Sequence, residues 1–475
     1  MYMGDGSRGG SRCHDTERGI IMTQRTRTFG RRSFLATGTS VALGSIAGCQ
    51  TGEQNGGSDG QSDGNGQSNS EETQGGTTGT TSGSGSDPLK IGVLAPSPEN
   101  NPNGVGMANG ARLAGDTLNA NGGVLGSDVE VIVKNTNGDA GTAREAYQDL
   151  TLGESVDMTT GVMSAEVLMS LMDAIANQET LHITSGAITP GASAMVAEDY
   201  ETYKYHFRSS LNGVLLGRGL EDFVTDVFPQ QGWTDVAMLG MDSEDVTPLQ
   251  NGVAGWFEEQ DFNLVYNESF SPGTQNFNPL FDQVEESGAD VLLPLMVTPA
   301  STAAVVQWAN SERPFEFAGI HTPSQSPTFY QETDGAAAHT VTSNISSPQA
   351  EYSEKTQPFI ADYSERFGMA PVFTGFTTGG AIGMWAEALA QAGTRDTEEL
   401  ITTLESMSYT SVQGLMEFHA PDHQFAHDLK YQLGQGVPIF TQWQPNADDS
   451  SQGTQEVIYP EEFRTAEYQS PPWIN

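Results

Sequence analysis

LKIGVLAPSPENNPNGVGMANGARLAGDTLNANGGVLGSDVEVIVKNT, residues 89 to 136, holds three kinds of local order in one run. Leu89 to Pro96 is a short β-rich apolar segment stopped by proline and serine. Met107, Ala111, Ala114 and Leu118 then recur at helical spacing, until Asn121, Gly122 and Gly123 break the pattern. A second β-rich segment, VEVIVKNT, follows at once. Two such strands with a single helix between them make a βαβ unit, because parallel neighbours need a crossover rather than a tight turn.

The same alternation runs outward from this unit. A helix is expected from about Thr142 to Leu152, a strand near Met158 to Val162, a helix from Ala165 to Ala176 and a strand at LHITS, Leu181 to Ser185. It restarts after FRSSLNG, Phe207 to Gly213, with a helix near Val214 to Phe228 and the strand DVAMLG. The helix LQNGVAGWFEE, strand NLVYNESF, a helix near Asn278 to Glu286, strand DVLLPLMV, helix STAAVVQWA and strand FEFAGI follow. The helix TTGGAIGMWAEALAQAG and a β-rich tail, YQLGQGVPIFTQWQ, complete the pattern. It predicts an α/β protein with two doubly wound, Rossmann-like lobes.

Upstream, GRRSFLATGTSVALGSIAGCQ, Gly30 to Gln50, places Arg31 and Arg32 before an apolar run that ends at Cys49. That run is too short and too rich in Gly, Ser and Thr to span a bilayer, which takes about 20 mainly apolar residues. It resembles a twin-arginine export signal, with Ile46, Ala47, Gly48 and Cys49 resembling a lipobox. Residues 1–48 are therefore expected to be removed, with Met22 as an alternative start and Cys49 as the lipidated N-terminus. Residues 49–87 read as a linker: Gln50 to Ser86 is 37 residues with 11 glycines and no aromatic or larger aliphatic side chain. Such a segment cannot build a core and would tether a folded body to a lipid surface.

Cleavage before Cys49 removes 7 of 20 basic and 3 of 61 acidic residues, leaving 13 against 58, a formal charge of −45. The carboxylates are scattered, as on a halophile's solvated surface, and at low salt they repel one another. Nucleic acid is excluded as a partner on the same ground. The only other cysteine, Cys13, lies in the leader, so no disulfide is expected.

Several segments then resemble one family. They are NGARLAGDTLNANGGVLG (Asn109 to Gly126), NTNGDAGTA (Asn135 to Ala143), FNPLFDQVEESGADVLL (Phe277 to Leu293), AEALAQAG (Ala386 to Gly393) and GLMEFHAPDHQ (Gly414 to Gln424). In order and spacing they resemble the branched-chain amino acid type of ABC transporter substrate-binding proteins, which share the type I periplasmic-binding fold. The resemblance implies two lobes joined by three crossing segments, near Arg208, Ser343 and Phe418. The first lobe would take residues 88–209 and 344–417, the second 210–343 and 418–475.

It also implies a ligand held between strand ends. Ser164, after the third expected strand, would present its hydroxyl to an anion at a helix N-terminus, or serve only as an N-cap. Ser185, Gly186 and Thr189 match the loop that holds a ligand head group, although the family threonine falls on Ile188. In the second lobe the family aromatic falls on Val246 and the ligand-pairing carboxylate near His321. Asp242 and Thr298, at strand ends, are further candidates. The ligand is read as a small polar metabolite.

His419, His423 and His427 have a zinc-like spacing, but Pro421 argues against one helix, so no metal is expected and no cofactor. The sequence carries no G-x-S-x-G elbow, Walker loop, H-E-x-x-H or cysteine nucleophile, which favours a non-enzyme. The expectation is a monomeric, lipid-anchored binding protein at the outer face of the cytoplasmic membrane, delivering its ligand to an ABC permease and ATPase. A sensor domain for a membrane transducer, or less favourably a hydrolase, is the alternative.

Overall fold

Residues 87–431 and 438–474 are described by the structure, a computed structural model. The leader, Cys49, the linker up to Ser86 and residues 432–437 of the expected β-rich tail lie outside the described residues.

The opening βαβ unit forms as its pattern predicts: β1 (Leu89–Ala95), α1 (Pro102–Ala120) and β2 (Val129–Asn135). Asn101 caps α1 by accepting from the amides of Asn103 and Gly104, and Pro102 starts the helix where its missing N–H costs nothing. The chain continues through α2 (Ala140–Gln148), β3 (Met158–Gly161), α3 (Ala165–Gln178), β4 (Leu181–Thr184), α4 (Gly191–Glu198), α5 (Tyr200–Tyr203) and β5 (His206–Arg208). These strands make a parallel sheet in the order β2-β1-β3-β4-β5. Its central strands are buried along their whole length, as expected of a parallel sheet covered on both faces.

The second sheet repeats that order. It begins with α6 (Gly213–Gln231), β6 (Asp235–Met241), α7 (Val246–Phe257), β7 (Asn263–Phe270) and α8 (Asn278–Glu286). It continues with β8 (Val291–Met296), α9 (Thr302–Asn310), β9 (Glu316–His321), α10 (Phe329–Glu332) and β10 (Val341–Asn344). The chain then returns to the first lobe as α11 (Thr356–Phe367), α12 (Phe373–Ala392), α13 (Thr397–Ser406) and the hairpin β11 (Tyr409–Ser411) and β12 (Gly414–Met416). After a third crossing, β13 (Ile439–Pro445) joins antiparallel to β10 and β14 (Gly453–Tyr459) antiparallel to β13, giving β14-β13-β10-β9-β8-β6-β7. Each lobe has its own apolar core. The expected two-lobed, doubly wound α/β fold is therefore present.

Two local departures have physical causes. The expected helix to Leu152 ends as α-helix at Gln148 and continues as a π-turn over Asp149–Glu154, which sets Leu150 against Gly92 of β1. The expected helix from Thr377 starts instead at Phe373, through glycines and threonines of poor helix propensity. Tertiary contacts compensate: Thr374 Oγ1 donates to the Asn103 carbonyl at 2.8 Å and Thr377 Oγ1 to that of Ser185 at 2.7 Å. Glycine is required at the crossing of α1 and α12, since a Cβ on Gly110 would lie 2.4 Å from the Gly375 carbonyl oxygen.

Several histidines are buried neutral. Burial lowers His182 to about 3 and His321 to about 4, and pushes His206 well below its usual value. Such groups bind protons more readily unfolded, near pH 6.5, than folded. Their contribution to stability is complete above that pH and is lost as pH falls toward the folded values, by about 1.4 kcal/mol per pH unit for each histidine. In urea unfolding at constant ionic strength, His321→Gln should flatten the dependence of stability on pH between about 6 and 5 by that amount. An unchanged slope would show that His321 carries a proton in the fold.

Candidate ligand-binding site

The carboxyl ends of the parallel strands of both sheets face a common cavity of about 220 Å³. Ligands of open α/β sheets bind at such edges, where loops from neighbouring strands diverge. The first lobe supplies Met163 and Ser164 after β3, Gly186 and Ile188 after β4, and Phe373 at the start of α12. The second supplies Asp245 and Val246 after β6, Leu249 on α7, Leu295 and Val297 at the end of β8, Ile320 and Thr322 at the end of β9, and Ser343 to Ile345 at the end of β10.

The β3 end is built under strain. Val162 holds a φ of 65°, a left-handed conformation that is an outlier for a β-branched residue. Two main-chain bonds keep it there: its N–H donates to the Leu94 carbonyl at 2.8 Å and its carbonyl accepts from Ala187 at 2.9 Å. The turn aims Ser164 at the cavity as the N-cap of α3, with Oγ accepting from the Val167 amide at 3.4 Å. Gly186 must be glycine, because a Cβ there would approach Met107 Cε to 2.6 Å and the Val162 oxygen to 2.9 Å.

Across the cavity, Asp245 reaches from the second lobe to the same helix end. Its Oδ2 accepts from the Ala165 amide at 3.5 Å, whereas Oδ1 is buried with no hydrogen-bond partner among the described residues. Burial pushes this carboxyl upward, while the Ala165 amide draws it down. The site thus combines a helix N-terminus and a serine hydroxyl, suited to an anion, with an incompletely satisfied carboxylate, suited to a cation. Ile188, Leu249, Leu295, Val297, Ile320, Ile345 and Phe373 supply an apolar wall.

Of the residues singled out in the sequence, Ser164 and Gly186 line this cavity together. Ser185 does not; it is fully buried, its hydroxyl 2.8 Å from that of Thr378. Thr189 caps the Gly191 amide at 3.2 Å, and Ile188 faces the cavity in its place. Asp242 is exposed on a shallow surface groove, three residues before the lining Asp245. Thr298 donates to the Pro272 carbonyl at 3.3 Å, leaving Val297 as the lining residue. His321 lies fully buried behind the wall, with Nε2 3.0 Å from the Ser301 carbonyl and Nδ1 bonded to Ser324. The three histidines near the third crossing separate: His419 and His423 stack at 3.8 Å, and His427 bonds Glu405 at 2.9 Å.

Two important residues were not singled out. Asp245 is one of many scattered carboxylates in the sequence, and the signal available there is its place directly before a helix that opens after a strand. Arg208 is fully buried at the end of β5, and its Nε donates to Asp428 Oδ1 at 2.7 Å. Its other nitrogens hold the site loop from behind, Nη2 donating to the Thr189 carbonyl at 2.7 Å and Nη1 to that of Ala187. Asn212 completes the cluster, donating to Asp428 Oδ2 at 2.6 Å. An arginine inside the first crossing of a chain so poor in basic residues was the available signal.

No curated protein matches the chain in sequence. Among solved structures, it is similar to a branched-chain amino acid ABC transporter protein from Silicibacter pomeroyi, with a TM-score of 0.70 and 18% identity over 82% of this chain and 100% of that one. It is also similar to a branched-chain amino acid transporter substrate-binding protein from Streptococcus pneumoniae in complex with isoleucine, with a TM-score of 0.64 and 18% identity over 78% of this chain and 100% of that one. A third, a solute-binding protein of an ABC transporter from Rhodopseudomonas palustris in complex with 3,4-dihydroxybenzoic acid, has a TM-score of 0.64 and 17% identity over 81% of this chain and 98% of that one. At such identities these likenesses speak for the fold alone. Residues 88–436 match the sequence profile of the periplasmic binding protein family, and with its two lobes and the cavity between them the chain belongs to that family.

Proposed function

We propose that this chain is the solute-binding component of an ABC importer and that it takes a small amphipathic molecule, best matched by an amino acid with an apolar side chain. The observation that carries this reading is the pairing of Ser164 at the α3 N-terminus with Asp245 opposite, both beside an apolar wall. A ligand carboxylate would bind the serine hydroxyl and the helix end, displacing the long contact from Asp245, which would then take the ligand ammonium. The apolar body would lie against Ile188, Leu249 and Ile320. Isoleucine and 3,4-dihydroxybenzoic acid, held by two of the similar structures, share a carboxyl group and a compact carbon body. The small polar metabolite read from the sequence is narrowed accordingly.

A thermal-shift screen of the full chain in high salt, across apolar amino acids, their amides and small aromatic acids, tests this reading. A ligand at a hundredfold excess over its Kd stabilises by about 2.7 kcal/mol. Ser164→Ala should weaken binding of a carboxylate ligand by about 1.5 to 3 kcal/mol, the usual worth of a hydrogen bond to a charged group. Asp245→Asn should weaken an amino acid but spare an acid without an amine. A hit that ignores both substitutions contradicts the site, and a hit converted to product contradicts a binding role.

The leader and linker extend the proposal to location: export through Arg31 and Arg32, lipidation at Cys49 and a tether to Ser86 would hold a monomeric body beside its permease and ATPase. Among the described residues no helix is long and apolar enough to cross a membrane. Replacing both arginines by lysine should retain the protein inside the cell, and Cys49→Ser should release it into the medium. Surface retention of the Cys49→Ser protein contradicts the anchor.

A further inference from the structure

The cavity between the lobes holds a second set of polar side chains, at the end opposite Asp245. Along the second-lobe edge the strands run in the order β10-β9-β8-β6. Asp245 follows β6, the apolar Leu295, Val297 and Ile320 lie at the ends of β8 and β9, and Ser343 and Asn344 end β10. Neighbouring strands sit about 4.8 Å apart, so three steps put the two polar ends roughly 14 Å from each other. The lining therefore reads polar, apolar, polar along one direction.

The far end offers hydrogen bonds that the protein leaves unused. Asn344 is only 3% exposed and Ser343 only 5%. Asn344 Oδ1 accepts from the Ser346 amide at 3.3 Å, which fixes the carboxamide with its nitrogen as the free group. That nitrogen and the hydroxyls of Ser343 and Thr322 have no hydrogen-bond partner among the described residues, and none of the three is sealed from water. Gln325 steadies the β10 end, its Nε2 donating to the Ser343 carbonyl at 2.7 Å. Polar groups this enclosed favour a ligand atom that satisfies them over one that leaves them unpaired. Charge is disfavoured at this end, because no Lys or Arg is among the described lining residues and Asp245 lies at the other end.

We propose that Thr322, Ser343 and Asn344 form a distal subsite for a neutral hydrogen-bonding oxygen, a hydroxyl or an amide carbonyl, at the tip of the ligand's apolar chain. The proposal rests on the reading in which Ser164 and Asp245 take the ligand's head group, and it narrows that reading to an elongated amino acid with a polar tip. The Asn344 nitrogen donates to the oxygen, and a hydroxyl of Ser343 or Thr322 donates a second bond or accepts the ligand's own hydroxyl proton.

The test is calorimetric titration of the full chain in high salt with L-norleucine and with its terminally hydroxylated analogue, which differ by one oxygen at the chain end. Native protein should bind the hydroxylated probe at least tenfold more tightly. Asn344→Asp, which keeps an acceptor for the Ser346 amide but loses the donor, should bring that preference to within twofold of unity. Ser343→Ala removes a hydroxyl that no described protein group uses; it should cut the preference at least threefold, and it serves as the second variant should Asn344→Asp not fold. Ser164→Ala should weaken both probes alike and leave the preference standing. Equal native affinity for the two probes, both weakened by Ser164→Ala, would overturn the subsite and leave the head-group reading intact. An undiminished preference in folded Asn344→Asp or in Ser343→Ala would likewise overturn the subsite. A preference lost in those variants but untouched affinity in Ser164→Ala would support the subsite and contradict the head-group reading, and absence of saturable binding of either probe would overturn both.

Discussion

The ion pair between Arg208 and Asp428 joins parts of the chain that are distant in sequence and must act together. Arg208 ends β5, where the chain first leaves the first lobe; Asp428 lies in the last crossing, 220 residues later. Both side chains are fully buried, so the pair survives only because the remaining polar atoms are also used. Two guanidinium nitrogens hold carbonyls of the loop behind Gly186 and Ile188, and Asn212 takes the second carboxylate oxygen. Removing one partner of such a pair typically costs about 3 to 5 kcal/mol, because it leaves a buried charge uncompensated. The shape of the site loop and the geometry of the crossings thus depend on the same two charges.

That arrangement fixes the shape of a modest cavity between the lobes. The first lobe presents a fixed surface: a strained β3 end, a glycine that permits close approach and a helix N-terminus with its capping serine. The second lobe brings Asp245 and most of the apolar wall. Asp245 already touches the α3 end across the cavity, so a ligand carboxylate must compete with a protein carboxylate for that seat. On the proposed binding mode, only a ligand that also gives Asp245 a new partner recovers the full interaction, so that proposal ranks amino acids above simple acids. Ile188, where the family resemblance places a threonine, replaces a hydroxyl with apolar surface.

The fold was legible because its signal is repeated. Most strands and helices are amphipathic or uniformly apolar and many are closed by glycine, proline or asparagine, so an error at one boundary does not propagate. The first turn of α12, Phe373 to Phe376, lies outside the expected helix because it forms through tertiary contacts rather than propensity. Site residues were less legible for a geometric reason: adjacent positions on a loop point in opposite directions. Thr189 and Thr298 were singled out, and in each case the residue just before it, Ile188 or Val297, lines the cavity; beyond Asp242 the lining carboxylate is Asp245, three residues on. Ser164 and Gly186 were legible because a strand end followed at once by a helix leaves little freedom in where the turn points.

The central claim is that a ligand is enclosed between the two strand edges, against Ile188. Calorimetric titration of Ile188→Trp with the ligand that shifts native unfolding tests it most directly, since the indole would occupy the cavity from a partly exposed position without disturbing the buried cores. The account predicts that the variant unfolds within a few degrees of native protein and binds no ligand. Binding with native affinity by a folded Ile188→Trp protein would contradict it.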